Sequence, residues 1–231
     1  ICPITHELPI KPVTAEDGKI YEEKAIREWF LQKDGDPTSP STGAVIGTRL
    51  LPAPQARNTI EALVKSGAIA GEIAEAWTTK LADETKVKET RAKAEGGDGQ
   101  AMHRLGVWYQ YGKNGLTKDK AQARAWYERS AATRHPMGLS CFGKCLTNGS
   151  DYGHKNISLG LVYLTDAAHL GSNHAAYKLG DAFAHGKCGL PKDSVQARFW
   201  LKEVAGDECK YKHLSAKGIA DAAKWLRELD E

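Results

Sequence analysis

Cysteine and histidine are the side chains of this sequence best suited to holding a metal or attacking a carbonyl, and their spacing argues against both. A zinc site needs four converging ligands, usually announced as two close Cys or His pairs. Of the five cysteines (Cys2, Cys141, Cys145, Cys188 and Cys209), only Cys141-x-x-x-Cys145 and the pair His185-x-x-Cys188 come near that spacing. An odd cysteine count with no paired pattern gives no disulfide framework and suits a reducing compartment, so an intracellular setting, cytoplasmic or nuclear, is expected. None of the eight histidines stands with a serine or cysteine in a recognised nucleophile motif. His103, His169 and His174 are expected on helix surfaces or as satisfied core residues. No metal, cofactor or covalent nucleophile is required by these residues.

What remains is recognition of other molecules. Lys plus Arg minus Asp plus Glu is 32 − 29 = +3, and the basic residues are scattered, so a nucleic-acid partner is not expected. No stretch approaches the roughly 20 apolar residues of a membrane helix, and residues 1–25 lack the apolar run of a signal peptide, so no membrane partner is expected either. The 41% apolar content and mean hydropathy of −0.48 are ordinary for a chain that buries a core. A length of 231 residues fits a small module joined to a longer one. The chain opens at Ile1-Cys2-Pro3 without an initiator Met and reads as a fragment of a longer protein.

The longer module contains a measurable repeat. Leu105-Gly106, Phe142-Gly143 and Leu179-Gly180 follow one another at a step of 37 residues. The same step links Tyr109, Leu146 and Phe183; Gly112, Gly149 and Gly186; Asp119, Asn156 and Asp193; Trp126, Tyr163 and Trp200; and Ala131, Ala168 and Ala205. Large apolar residues four apart, as at Leu105 and Tyr109, mark one face of a first helix. Glycine within a helix costs about 1 kcal/mol, so Gly106, Gly143 and Gly180 imply close approach by another backbone. Gly112, Gly149 and Gly186 suit a left-handed helix end, and Asp119, Asn156 and Asp193 can cap a second helix. Trp126, Tyr163 and Trp200 supply bulk on that second helix. Each repeat is therefore an antiparallel helix pair, and stacked pairs make a solenoid with a concave face suited to another polypeptide.

These residues resemble the Sel-one-like repeat family, related to tetratricopeptide repeats, over residues 98–208. The middle copy departs from the pattern, with Gly138 for the usual Ala and Gly153-His154 in its connector. Residues 209–231 lose the register, but Leu214, Ala222, Ala223, Leu226 and Leu229 predict a capping helix. Before the repeats, residues 68–96 predict an amphipathic connecting helix with Ile69, Ile73, Trp77 and Leu81 at four-residue steps. Trp77 is expected to pack under the first repeat, with a homodimer contact as the alternative.

Residues 1–67 have another texture: seven of the nine prolines, helical stripes at Ile26/Phe30 and at Ile60/Leu63/Val64, and strand candidates at Pro12-Val13 and at residues 19–21. Cys2-Pro3-Ile4-Thr5, Glu7-Leu8, Pro12-Val13, Gly18, Tyr21, Ala25-Ile26, Trp29, Pro40-x-Thr42-Gly43, Leu51-Pro52 and Arg57-x-x-Ile60 resemble the U-box family in order and spacing. The resemblance implies a RING-like shape in which hydrogen bonds and ion pairs replace zinc. It further implies docking of a ubiquitin-conjugating enzyme through Ile4 and His6 of a first loop, Trp29 of a central helix and Pro40 of a second loop. Pro37 is a rival to Pro40, and burial is the competing role for Ile4 and Trp29. Three positions depart from the family: Ala53 for a capping Asn, Lys11 for Asp, and Gly43 where active members often carry a basic residue that bonds both conjugating enzyme and donor ubiquitin.

The expected fold class is mainly α: a small α+β U-box domain followed by an α-solenoid of antiparallel helix pairs. The expected function is a RING/U-box-type ubiquitin transferase whose solenoid holds a substrate or adaptor protein. The alternative is a non-catalytic scaffold with a degenerate U-box.

Overall fold

The computed structural model describes residues 1–32, 35–149, 153–205, 210–212 and 214–230. Asp34, Cys209 and the end of the third repeat at residue 208 lie outside the described residues. Among the described residues the chain is mainly helical with one small sheet, and it divides into two compact units, Ile1–Thr85 and Lys86–Glu231.

In the first unit three short strands, β1 (Pro12–Thr14), β2 (Ile20–Glu22) and β3 (Leu51–Pro52), pair antiparallel in the order β2-β1-β3. Val13 lies opposite both Tyr21 and Pro52. The strand at Leu51-Pro52 has no sequence signature, since two residues cannot display the alternation that marks a strand. Helix α1 (Glu23–Leu31) follows β2 without a break and turns Ile26 onto the sheet. Helix α2 (Pro54–Lys65) starts at a proline, whose missing N–H is harmless at that position, but Ala53 gives it no side-chain cap. Cys2, Val13, Ala15, Tyr21 and Ile26 form the buried core, with Ile4, Trp29, Phe30, Ile46 and Leu50 half-buried around it.

Helix α3 (Glu72–Glu95) begins after Ile69 and runs through the division between the units. Trp77, 3% exposed, donates its indole N–H to the Pro9 carbonyl at 3.1 Å. Trp77 is thus buried against the N-terminal loop rather than beneath the first repeat, and it is not an exposed dimer contact. Glu84 accepts Arg57 at 2.9 Å and pairs with Lys11 at 3.4 Å, which fixes the helix to α2 and to the start of β1.

The second unit stacks three helix pairs: α4 (Gly99–Tyr111) with α5 (Lys120–Ala132), α6 (Pro136–Asn148) with α7 (Ile157–His169), and α8 (Asn173–His185) with α9 (Ser194–Ala205). Each connector ends on the same bond: the amide of Asp119 donates to Tyr109, that of Asn156 to Leu146 and that of Asp193 to Phe183, at 2.8, 3.0 and 3.0 Å. Their side chains then cap the second helices by accepting from Gln122, Leu159, and Val195 and Gln196. Gly112 and Gly186 end α4 and α8 in the left-handed region that favours glycine. Gly149 also has a positive φ but a ψ of −92°, so the middle connector leaves its helix by another path.

The helical glycines differ in what approaches them. A side chain at Gly143 would meet the Gly160 carbonyl oxygen at 2.8 Å, which is the backbone approach expected from the sequence. At Gly106 and Gly180 the neighbour is instead a side chain, the Tyr127 ring and Leu201 respectively. Bulk on the partner helix there makes the same demand for a missing Cβ that a close backbone does. Gly138 has a comparable reason, because a Cβ would come within 2.6 Å of the Ser130 backbone.

Trp126 and Trp200 are buried, Trp126 under the Arg129 guanidinium at 4.3 Å, while half-buried Tyr163 meets Phe142 edge-on at 5.0 Å. Helix α10 (Ala216–Asp230) closes the stack through Ala222, Trp225, Leu226 and Leu229, together with Leu214 before it. Ala223, expected on that stripe, is exposed, and Trp225 takes its place by stacking on Tyr177 at 5.3 Å. Positions three, four and seven apart share a helix face, whereas 223 is rotated off it.

Candidate protein-docking site

Two loops flank the small core of the first unit, and polar bonds hold both. The first folds on Cys2: the Cys2 amide donates to the Glu7 carbonyl at 2.8 Å, and the His6 amide donates back to the Cys2 carbonyl at 2.9 Å. Burial disfavours the Cys2 thiolate, yet hydrogen bonds from the Glu22 amide and from Thr5 and Ile4 outweigh it and lower the thiol pKa. The Glu22 carboxylate accepts the amides of Ile10 and Lys11 at 2.7 and 3.1 Å. Lys80 pairs with Glu7. His6 is exposed with φ +57°, and it borders a groove of about 150 Å3 with Leu8, Ile73, Ala76 and Trp77.

The second loop is organised by Ser39, 1% exposed. Its hydroxyl donates to Asp17 at 2.6 Å and accepts the amides of Ser41 and Thr42, both at 3.1 Å. The Tyr21 hydroxyl reaches the same Asp17 oxygen at 2.7 Å and meets Ser41 at 2.8 Å. Burial works against the Asp17 carboxylate, but Ser39, Tyr21 and the Lys19 amide together hold its pKa below the usual range. Further along, Glu16 accepts the Gly47 amide at 2.8 Å and the Pro37 carbonyl accepts that of Ile46 at 2.9 Å. This lattice cross-links the ends of the loop to the β1–β2 turn.

Trp29 joins helix α1 to that loop, donating its indole N–H to the Thr38 carbonyl at 2.9 Å. Ile4 and Trp29 therefore pack on one core, and Trp29 reaches the loop bearing Pro37 and Pro40, both half-buried. His6 belongs to the groove beside α3 instead. Gly43 is exposed at φ +74° with nothing within 4 Å of a Cβ built there. Among the described residues no three His, Cys, Asp or Glu side chains converge as metal ligands, and no helix is long and apolar enough to cross a membrane.

Sequence reasoning missed the Asp17–Ser39–Tyr21 junction and the partner of Trp77. The first had a faint signal in adjacent Asp17-Gly18 turn residues, while the second pairs positions 68 apart and had none.

Residues 1–68 match the family model described as the U-box domain, and residues 99–132 and 173–205 match the Sel1 repeat. Over 65 residues the chain is 42% identical to "U-box domain-containing protein 43" of Arabidopsis thaliana, covering 26% of this chain and 8% of that protein. Over 52 residues it is 42% identical to "Putative E3 ubiquitin-protein ligase LIN-1" of Lotus japonicus, covering 22% of this chain and 3% of that one. The chain thus spans under a tenth of the length of either relative. Among solved structures, a Sel1 repeat protein from Oxalobacter formigenes is similar at 26% identity and a TM-score of 0.49, covering 62% of this chain and 98% of that one.

Proposed function

We propose that this chain, a U-box followed by Sel1 repeats, is a ubiquitin ligase module that docks a ubiquitin-charged conjugating enzyme on the first unit and a substrate or adaptor on the repeats. The observation that carries the reading is the pair of loops held by Cys2 and Ser39, with Ile4, Trp29 and Pro40 left half-exposed around a rigid core. Partly exposed apolar and aromatic side chains on a fixed frame are what a binding anchor requires. The similarity of this segment to proteins named ubiquitin ligases supports the same reading.

Catalysis on this reading is positional. The conjugating enzyme brings ubiquitin as a thioester; the acceptor lysine amine attacks the thioester carbonyl and the conjugating enzyme's cysteine leaves. The chain forms no bond of its own. Holding donor and acceptor together lowers the entropic part of the barrier, and hydrogen bonds favouring the attack-ready donor would add to it.

Gly43 favours a second reading, a scaffold without transferase activity. It offers no basic side chain at the position where the more active members of the U-box family often carry one that bonds conjugating enzyme and donor ubiquitin. The test is the chain mixed with activating enzyme, a panel of conjugating enzymes, ubiquitin and ATP. Chains or self-modification are expected, and Pro40→Ala reduces them without a matching fall in Tm. Silence across the panel leaves the scaffold.

A further inference from the structure

The first helices of the three repeats, α4, α6 and α8, line a groove of about 200 Å3 bordered by His103, Val107, Tyr111, Cys141, Lys144 and His174. Across it, Ser140 and His174 touch at 2.8 Å between Oγ and Nδ1. Those two positions are 34 apart, one repeat less one turn, and so are Lys144 and Lys178. Each lysine stands four residues beyond its member of the Ser–His pair, one rung further along its helix; Lys144 borders the groove, and its charge reaches Lys178.

Like charges this close repel unless an anion lies between them. Burial depresses the Lys178 pKa, and the Lys144 charge depresses it further. Asp181 offsets this in part, but its carboxylate is already held by Lys187 at 2.8 and 3.0 Å and by His185 at 2.9 Å. Among the described residues neither Lys144 nor Lys178 makes an ion pair. Beside them, Tyr111 is 60% exposed, and Gln110 accepts the Tyr127 hydroxyl at 2.7 Å, which leaves its amide N–H groups as oriented donors.

We propose that this groove docks an acidic segment of a partner protein, an Asp or Glu carboxylate settling between Lys144 and Lys178 while an adjacent apolar side chain lies against Val107 and Tyr111. The inference rests on reading the repeats as the partner-binding part of the chain. A carboxylate fits better than a phosphate, because no arginine lines the groove to present the bidentate fork that phosphate recognition favours. Gln110 supplies a donor for a peptide carbonyl.

The test is an array of short randomised peptides, with phosphoserine included in one arm, probed with the full chain in the absence of any conjugating enzyme. Bound sequences are expected to be rich in Asp or Glu beside an apolar residue. The double variant Lys144→Glu, Lys178→Glu should weaken the best of them by roughly tenfold or more and select Lys- or Arg-containing peptides instead. Its Tm and circular dichroism should match the parent. Selection of neutral or phosphorylated peptides, absence of any selection, or an unchanged binding set in the double variant would overturn the proposal. Because no ubiquitin chemistry enters the assay, failure of the ligase reading leaves its result intact.

Discussion

Each of the two units of this chain is stabilised internally by a different balance of forces. Among the described residues the N-terminal core has five buried side chains, against seventeen in the main cluster of the repeats, so the first unit cannot rely on apolar burial to the same degree. It compensates with hydrogen bonds that knit loops to strands: Ser39 and Tyr21 to Asp17, Glu22 to residues 10 and 11, Trp29 to Thr38, Trp77 to Pro9. The repeats stack apolar faces, close their connectors and cap their helices with polar bonds, and add a few between helices such as Ser140 to His174. One half should therefore fail through cavities and the other through lost polar partners.

The largest contrast comes from truncating a buried leucine. Leu179→Ala should cost about 2–5 kcal/mol, seen in hydrogen exchange as lost protection of α8 and α9 while β1 and β2 amides keep theirs. If strand protection fell equally, the units would be one cooperative block. Next, Gly143→Ala should cost about 1–3 kcal/mol in a urea titration, because a Cβ there meets the Gly160 carbonyl, and should exceed Gly180→Ala, where the nearest atoms belong to the Leu201 side chain rather than to backbone. Equal penalties at both sites would remove the distinction between backbone and side-chain approach.

Smaller effects belong to the polar unit. Tyr21→Phe should cost about 1–2 kcal/mol there by removing a hydroxyl shared by Asp17 and Ser41. The Asp17 carboxyl, held below its ordinary value, contributes stability that is fully present above about pH 4 and is lost as pH falls further. Asp17→Asn should flatten that acid limb in the first unit and leave melting of the repeats unchanged; a parallel shift in both would contradict the division. Smallest, and stabilising, Ala53→Asn should add about 1 kcal/mol by capping α2, read as a rise in the Tm of the first unit.

The repeats were legible because one interval recurs through helix faces, ends and caps, and the structure assigns a bond to most of those positions. The middle copy, outside the segments matched by the repeat family, folds as the same helix pair; its unusual Gly138 answers to the Ser130 backbone. The first unit was legible as a pattern of separated residues, with α1 and α2 announced by their apolar stripes. What stayed hidden was set by distant partners. Trp77 advertised an amphipathic helix but not what would cover it, β3 was too short to alternate, and the Lys144 charge acts on Lys178 only once two repeats have stacked. Among the proposed docking residues, sequence gave identities, while their half-buried state arises from a hydrogen-bond lattice that no local spacing encodes.

The amide-to-carbonyl stitch that closes every connector involves main-chain atoms alone. Residues on the outside of those bends are consequently at liberty to change chemistry without loosening the hinge. A further copy of the unit spliced in register would arrive with its own clasp and with both stacking surfaces already matched, so the solenoid can lengthen by duplication rather than redesign.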